Sequence, residues 1–375
     1  MKKLTLLSFI FAFAALVNAG EFNFMGYEAV SYDDNIYLTN TNTKDSFINT
    51  TRVGVNYEGQ IPGSSLKVDL NAIGGYHFFT EDNDKNAYAD AFVTAEMYNN
   101  NFTFGDKFIF TSDPANSELT QRAKRLNNRV YASYITSKEK MFSVGVKVSD
   151  VFDRYFKSKY QNLNRNRINL GAGVYYNISS KTSLLAEYTF TDIDYQTNNN
   201  NNSNGGIVAL GVEGQIAPKV KGTAKATYNY RNYDHNLAGY DNYADLFGYE
   251  AALSWQPTTQ NEIRLSGERI FEETVYTNNR YFISSGVSLY ASQKVMEKFT
   301  LALTLGYDNL RYQKANTDGV KRSDDVYSVR PEVNYQFKEW LSAGVWYQFR
   351  KRASNAGDYN EYDSNKTGIF VKAVF

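Results

Sequence analysis

Apolar and polar residues alternate one by one along residues 299–308. The apolar members of this run are Phe299, Leu301, Leu303, Leu305 and Tyr307. Because successive side chains of a β-strand point to opposite faces, the run predicts a strand with one apolar face. Residues 280–292 form a second run of this kind, and the short segment 293–298 between them reads as a turn. A single hairpin with this pattern would also fit a soluble sheet.

The same unit of long strand, short turn and long strand recurs along the whole chain, with no helical stretch between the units. We therefore predict an all-β fold, a transmembrane antiparallel up-and-down β-barrel of about 18 strands, with about 16 as the alternative. The alternative arises because the first and sixth strands are weakly patterned. The predicted strands span residues 22–37, 52–58, 66–76, 88–98, 102–110, 129–135, 141–148, 168–178, 183–195, 207–216, 220–233, 243–255, 262–272, 280–292, 299–313, 326–337, 341–350 and 367–375.

The connections between these strands fall into two alternating classes. The turns inside the hairpins are short, and Pro62, Pro218 and Pro257 lie in them. The other connections are long and polar, and this asymmetry is typical of bacterial outer-membrane barrels. Pro331 lies inside a predicted strand, where it cannot donate a ladder hydrogen bond. We expect a bulge or a local break there.

The N-terminus has the pattern of a secretory signal. Lys2 and Lys3 precede an apolar run that ends at Val17, and Ala19 fits the small-residue rule for cleavage. The alternative, a membrane anchor, is disfavoured because the run is short for a bilayer helix. We expect residues 1–19 to be a signal peptide and residues 20–375 to be a single barrel with no separate plug domain.

The remaining composition favours a membrane barrel. After residue 19 no apolar run approaches the roughly 20 residues of a membrane helix. A membrane-spanning chain without such helices must close into a barrel, because hydrocarbon satisfies no open sheet edge. We therefore expect the cell outer membrane as its location and outer-membrane lipid as a partner.

The 40 basic and 40 acidic residues leave no basic excess for nucleic acid, and the absence of cysteine removes disulfides and thiolate metal sites.

Alternation also assigns the two faces, if the apolar side meets lipid. Val144, Val146, Val148 and Ile369 would then point outwards. A lipid-facing Arg or Lys costs about 2–4 kcal/mol at mid-bilayer, so charged residues should share the inner face. The predicted lumen-lining residues are Arg52, Glu58, Lys67, Asp69, Glu96, Lys107, Lys147, Glu187, Glu213, Lys221, Lys225, Arg231, Glu250, Glu262, Arg264, Glu268, Arg330, Glu332, Arg350 and Lys372. Asp106 has the wrong parity, which indicates a register slip or an interfacial position.

Aromatic residues at strand ends suit the interfacial girdles of a membrane barrel. The tyrosines expected there are Tyr57, Tyr76, Tyr98, Tyr176, Tyr188, Tyr228, Tyr307 and Tyr335. A barrel this wide would hold an aqueous lumen, and its mixed charges predict weak ion selectivity. Pairs such as Arg264 with Glu250 would either neutralise each other or grip a ligand.

The residues give little support to catalysis. His77 and His235 are the two histidines, and they lie at strand ends or loop starts. His235 follows Asp234, but adjacent strand residues point to opposite faces. We therefore expect no enzyme activity, no metal site and no cofactor.

Two features resemble known proteins. In the final strand, Ile369, Val371, Ala373 and Phe375 occupy alternate positions. This strand resembles the C-terminal signal by which outer-membrane barrels are recognised, and the resemblance implies the barrel assembly machinery as a partner.

Other segments resemble the putative beta-barrel porin 2 family. These segments are residues 171–176, 186–190, 255–258, 322–325 and 347–355. The resemblance implies an outer-membrane porin, in a family often associated with surface polysaccharide systems, and it brings no catalytic residues.

Two functions remain open from the sequence. The first is an outer-membrane porin-like channel that passes solutes, or an exported surface polysaccharide, through a polar lumen. Polysaccharide export components would then be further partners. The second is a structural or adhesive barrel whose packed lumen leaves its extracellular loops to bind partners. Inward-facing aromatic residues that could fill such a lumen are Phe92, Tyr131, Tyr175, Phe282, Tyr290 and Trp346.

Overall fold

A computed structural model describes residues 20–375, except 115–117, 138, 198–200, 237–238, 275–278 and 316–318. The predicted signal peptide therefore lies outside the described residues. The strands are β1 (Gly20–Asp33), β2 (Ser46–Gln60), β3 (Lys67–Phe79), β4 (Tyr88–Tyr98), β5 (Phe102–Thr111), β6 (Arg125–Ile135), β7 (Phe142–Tyr155), β8 (Arg165–Ser179), β9 (Thr182–Tyr195), β10 (Ser203–Ala217), β11 (Val220–Tyr233), β12 (Tyr243–Trp255), β13 (Asn261–Glu273), β14 (Tyr281–Lys294), β15 (Phe299–Ala315), β16 (Lys321–Lys338), β17 (Leu341–Ser354) and β18 (Tyr362–Val374).

Each strand pairs antiparallel with the next along the chain, and β18 pairs with β1. The closing ladder runs from Met25↔Val374 to Asp33↔Lys366. The predicted all-β barrel of eighteen strands is confirmed, and the alternative count of sixteen is wrong. Both weakly patterned strands are present. β1 ends at Asp33, however, and not at Tyr37, while β6 begins at Arg125, earlier than its apolar pattern.

The two ends of the barrel differ as the connections predicted. Short turns join the strands within each hairpin at one end, where β1 begins and β18 finishes. Longer loops fill the other end and carry short helices at Asn83–Asn86 (α1), Ser158–Leu163 and Asp358–Asn360. Within the described part of the chain, no helix is long and apolar enough to span a membrane.

The outer face carries an exposed apolar belt. Val144, Leu210, Phe247 and Ile369 are all at least half exposed. Rings pair at both rims of this belt, for example Phe299 with Tyr335 and Tyr307 with Tyr327. One of the tyrosines expected in the girdles is misplaced: Tyr98 pairs with Lys67, so it lies on the inner face. An apolar band between aromatic girdles is the pattern of barrels that sit in a bilayer.

Pro331 leaves a gap in one hydrogen-bond ladder of the sheet but does not shift the strand register. Its pairing with β15 is kept at Leu303↔Pro331. The ladder to β17 has the pairs Val329↔Phe349 and Glu332↔Trp346, and it skips the two positions between them. The expected local break therefore occurs, and the register is the same on both sides of it. Because proline donates no backbone hydrogen bond, one gap in one ladder is the outcome.

Asp106 lies on the outer face, as its parity indicated, but there is no register slip. It pairs with Val130, which is exposed on the outer face. Asn128 from β6 donates a hydrogen bond of 2.5 Å from its Nδ2 to Asp106 Oδ1. On β1, Glu28 is a second outward carboxylate and accepts bonds of 2.6 Å from Asn49 and Thr51. Each carboxylate is thus satisfied by neighbours on its own face.

These pairs predict non-additive mutations. Asn128→Val should lower the free energy of unfolding by about 1–3 kcal/mol, because it leaves the Asp106 carboxylate without its donor. The double variant Asp106→Val with Asn128→Val should be at least as stable as the wild type, because both polar groups are then gone. Urea titration of the barrel in phospholipid vesicles measures both. Equal losses in the single and double variants would contradict this account.

Candidate functional site

The inner face of the barrel carries the polar residues. The strand register places all the predicted lumen-lining residues on the face opposite the exposed apolar belt. The aromatic residues that could fill a lumen lie on this face too, including Tyr175 and Trp346. Both are buried there, at 2% and 8% exposure. The inner wall is therefore polar, and it also carries large aromatic rings that pack beneath charged side chains.

The charges of this wall pair in ways that the sequence did not reveal. Arg264 binds Glu262 at 3.2 Å instead of Glu250, and Glu250 lies directly opposite Glu268. Glu187 on β9 accepts contacts from Lys147 at 2.6 Å and Lys225 at 2.8 Å. The Tyr175 hydroxyl donates a further bond of 2.5 Å to Glu187. One carboxylate thus serves two ammonium groups from strands on either side.

The upper part of the β13–β14 hairpin separates from β12 and bends inwards, while β14 stays paired with β15 as far as Phe282↔Tyr312. β13 pairs with β12 only from Trp255↔Ile263 to Glu250↔Glu268. Beyond that point Phe271, Tyr281 and Ile283 of the hairpin pack against Tyr233 and Ala244, which lie on the inner face of β11 and β12. We call residues 269–274 and 279–283 the inward hairpin.

A glycine allows this close approach. Gly248 lies on the inner face of β12, and a Cβ built there would be 2.2 Å from the carbonyl oxygen of Arg269. That distance is far below any normal contact, and the obstacle is backbone. Only glycine therefore lets the inward hairpin rest on the wall at this point. Arg269 in turn donates a hydrogen bond of 2.9 Å to the Phe247 carbonyl.

Charged groups also hold the inward hairpin against the inner wall. Glu273 forms an ion pair with Arg231 of β11 and accepts a hydrogen bond of 2.7 Å from the Tyr195 hydroxyl. Tyr195 accepts a bond of 3.4 Å from Arg165, and Arg165 also pairs with Asp153 at 3.2 Å. These contacts continue across β7, β8, β9 and β11, so the hairpin is fastened to a quarter of the wall.

Residues 118–124 of the connection between β5 and β6, which we call the crossing loop, reach across the lumen to this hairpin. Glu118 is 2% exposed, and its Oε1 accepts a bond of 2.6 Å from Thr274. Its backbone carbonyl accepts a bond of 3.2 Å from Arg352 of β17. β5 and β13 lie on nearly opposite sides of an eighteen-stranded barrel. The two segments therefore narrow the lumen between them.

The crossing loop is also fixed by apolar packing. Leu119 and Ala123 are buried against Tyr155, Tyr160 and Leu163 near the top of β7. Arg122 from the same loop donates a bond of 3.2 Å to the Ile36 carbonyl and stacks 4.6 Å from the Phe79 ring. Apolar and polar contacts therefore tie the loop to several sides of the barrel at once.

The two histidines have structural partners. The His77 Nε2 and an Arg52 nitrogen share Asp90 Oδ2 at 2.9 and 2.7 Å, and His77 Nδ1 lies 3.0 Å from the Thr50 hydroxyl. The His235 carbonyl accepts a bond of 2.6 Å from the fully buried Arg280. Burial lowers the pKa of Arg280 from its usual value. Among the described residues, no group of His, Asp or Glu side chains is arranged to hold a metal ion.

Open space remains on both sides of the constriction. A cavity of about 410 Å³ lies between the crossing loop and the wall, where Arg122 faces Arg350 and Lys366. A second cavity, of about 440 Å³, lies against the inner wall of β6–β9. A third, of about 150 Å³, adjoins it beneath the inward hairpin. The lumen is narrowed but not uniformly filled.

A closed barrel with an apolar belt, a polar interior and a loop across its lumen defines a porin-like protein of the outer membrane. The chain belongs to the family described as Putative beta-barrel porin 2, whose model matches residues 131–375. The resemblance carried by its sequence segments is thereby confirmed. No curated protein matches the chain.

Solved outer-membrane proteins share the fold. OccK5 (OpdH) of Pseudomonas aeruginosa matches with a TM-score of 0.53 and 8% identity, covering 96% of this chain and 99% of that one. OpdQ of the same organism matches with a TM-score of 0.51 and 9% identity over 96% and 99%. OccAB4 of Acinetobacter baumannii gives 0.50 and 12% over 96% and 98%. At these identities the likeness concerns the fold alone.

The glycine contact predicts how the inward hairpin can be dislodged. Gly248→Val should push the hairpin off β12, because the new side chain would overlap the Arg269 carbonyl. The chain has no cysteine, so Ile283→Cys can report the change. Its reaction with a soluble maleimide should be slow in the parent and faster with Gly248→Val. Gly74→Val is the control, since a Cβ there meets nothing within 4 Å. Equal labelling rates in all three proteins would refute the proposed role of Gly248.

Proposed function

We propose that the protein is an outer-membrane channel that passes small polar solutes through a lumen narrowed by the crossing loop. The observation that carries this proposal is the contact of Glu118 with Thr274 inside the barrel. It leaves polar cavities of a few hundred Å³ on either side, and pockets of that size suit small molecules. The inner face supplies charged and hydroxyl groups that a hydrated solute can contact.

The constriction argues for small cargo over a polysaccharide chain. An exported polymer needs a continuous wide passage, whereas Glu118 and Leu119 are buried inside the barrel and held from several sides. Export would require the crossing loop to move away from Thr274 and Arg352 together. The direction of transport stays open in this proposal, and polysaccharide export components are not needed for it.

The proposal also assigns a role to Phe375 in assembly of the barrel in the outer membrane. Phe375 exchanges two backbone hydrogen bonds of 2.9 Å with Phe24, and its ring stacks 5.3 Å from Trp340. The ring is 65% exposed at the turn end of the barrel. An exposed terminal aromatic beside the closing ladder suits recognition by the barrel assembly machinery before closure. Export through a signal peptide cleaved near Ala19 completes this route.

Single-channel recording in planar bilayers tests the channel function. The wild type should show small, stable conductance steps. Arg352→Ala and Thr274→Val should each increase the conductance, because each removes one anchor of the crossing loop, worth about 1–3 kcal/mol. Arg350→Ala is the matched control: it is a neighbouring inward arginine of β17 that binds the Tyr362 hydroxyl and not the loop.

One result would count against the channel itself, and another against the role of the crossing loop in it. A folded barrel without conductance, in the wild type and in both loop-anchor variants, would favour the structural or adhesive barrel with a packed lumen. The same increase in conductance with Arg350→Ala would show that lumen charge, and not the position of the loop, sets the conductance. Folding is checked first by the heat-dependent mobility of each barrel on a gel.

A further inference from the structure

The cavity of about 440 Å³ on the wall of β6–β9 is lined by cationic side chains and by no anionic ones. Its lining contains Arg129, Lys147 and Arg167, together with Ser133, Ser149, Asn169 and Thr189. No carboxylate belongs to this lining. The adjoining cavity of about 150 Å³ shares Arg167 and Asn169 and adds Arg231. Basic and hydroxyl groups therefore converge on one side of the lumen, although the chain as a whole has no net charge.

Two of these cations have no carboxylate partner in the described residues. Arg129 stacks against the Tyr131 ring at 5.3 Å and forms no ion pair. Arg167 likewise forms none, and its Nε is shielded from solvent without a hydrogen-bond partner. An unsatisfied buried donor costs free energy, and an anion bound at the Arg167 guanidinium would offset part of that cost.

Two of the nearby carboxylates already have hydrogen-bonded partners, and a third interacts with the arginines only at longer range. Glu187 is shared between Lys147 and Lys225. The carboxylate of Glu96 accepts a hydrogen bond from the Tyr131 hydroxyl. Glu272 of the inward hairpin interacts electrostatically with Arg165 and Arg167 without forming an ion pair. The positive charge around the cavity is reduced by these groups, but among the described residues no acceptor forms a hydrogen bond or ion pair with Arg129 or Arg167.

We propose that this cavity is a binding site for a small organic or inorganic oxyanion, with Arg167 as the principal ligand and Arg129 and Lys147 as supporting cations. The planar guanidinium matches the two oxygens of a carboxylate or phosphate group. Ser149, whose hydroxyl accepts a bond of 3.0 Å from Asn169, provides a hydroxyl donor for a third oxygen. The inference rests on the proposed passage of solutes and names their chemical class: the channel would favour anions, contrary to the weak selectivity expected from its overall composition.

Block of the potassium chloride current in planar bilayers tests the site, with potassium succinate and potassium phosphate as the two probes. Both probes should reduce the current, and the lower half-blocking concentration identifies the better-fitting group. Arg167→Gln should raise that concentration about tenfold or more, because a charge-assisted contact to the anion is lost. It should also move the reversal potential in a salt gradient towards cations.

Lys221→Gln is the matched control. It removes the same charge from the inner face of β11, close to the turn end and outside the cavity. The site predicts little change in half-blocking concentration for this variant. Equal effects of Arg167→Gln and Lys221→Gln, or no block by either probe in the wild type, would overturn the proposal. Arg129→Gln is the second variant, should Arg167→Gln fail to fold.

The site can fail separately from the channel. If the wild-type barrel carries no current, the proposed function fails, and calorimetric titration of succinate into the folded barrel decides the site. Heat of binding that Arg167→Gln abolishes and Lys221→Gln keeps would support the site on its own. Absence of binding in the wild type would overturn it.

Discussion

The structure depends on one set of hydrogen bonds, the ladder between β1 and β18. It joins residues from the two ends of the described chain, from Met25↔Val374 to Asp33↔Lys366. Without it both strands would present unpaired backbone groups to hydrocarbon, at a cost of several kcal/mol for each group. Closure therefore fixes the strand number, and the strand number sets the width of the lumen. The aromatic girdles lie on the outer surface that closure creates, and the crossing loop and the ion pairs of Glu187 lie on the inner one.

Once the barrel is closed, parity decides where charge can reside. A shift of one residue would move a whole strand's charges from the lumen to the lipid, so the alternation enforces the register. Inside, the charges are close enough to interact across strands that are not direct neighbours. Glu187 reaches Lys147 and Lys225, each two strands away, and Asp90 serves both Arg52 and His77. The inner wall is thus a connected polar surface, and its uncompensated positions stand out against these satisfied pairs.

The amino-acid sequence predicts the wall of the barrel well, because the wall follows from local alternation. It predicts the strands, the short turns, the outward valines and the inner parity of the charged residues. It does not predict which charges meet, since Arg231 with Glu273 or His77 with Asp90 depends on register between strands. Nor does it predict the inward path of the crossing loop. Its contacts with Thr274 and Arg352 join residues far apart in the chain, and no local pattern encodes them.

The inward hairpin shows why an alternating pattern is ambiguous. Leu265 and Phe271 have the same parity on β13, yet Leu265 is exposed on the outer face and Phe271 packs inside the barrel. An apolar stripe is satisfied equally by lipid or by an inner wall, so it cannot distinguish the two. A charged residue at the same parity does distinguish a lipid-facing strand from one that packs inside. Asp106 stays on the outer face because Asn128 satisfies it there, whereas Glu273 finds Arg231 and Tyr195 inside. A carboxylate out of step with its strand therefore marks a place where the chain either provides a local donor or leaves the wall.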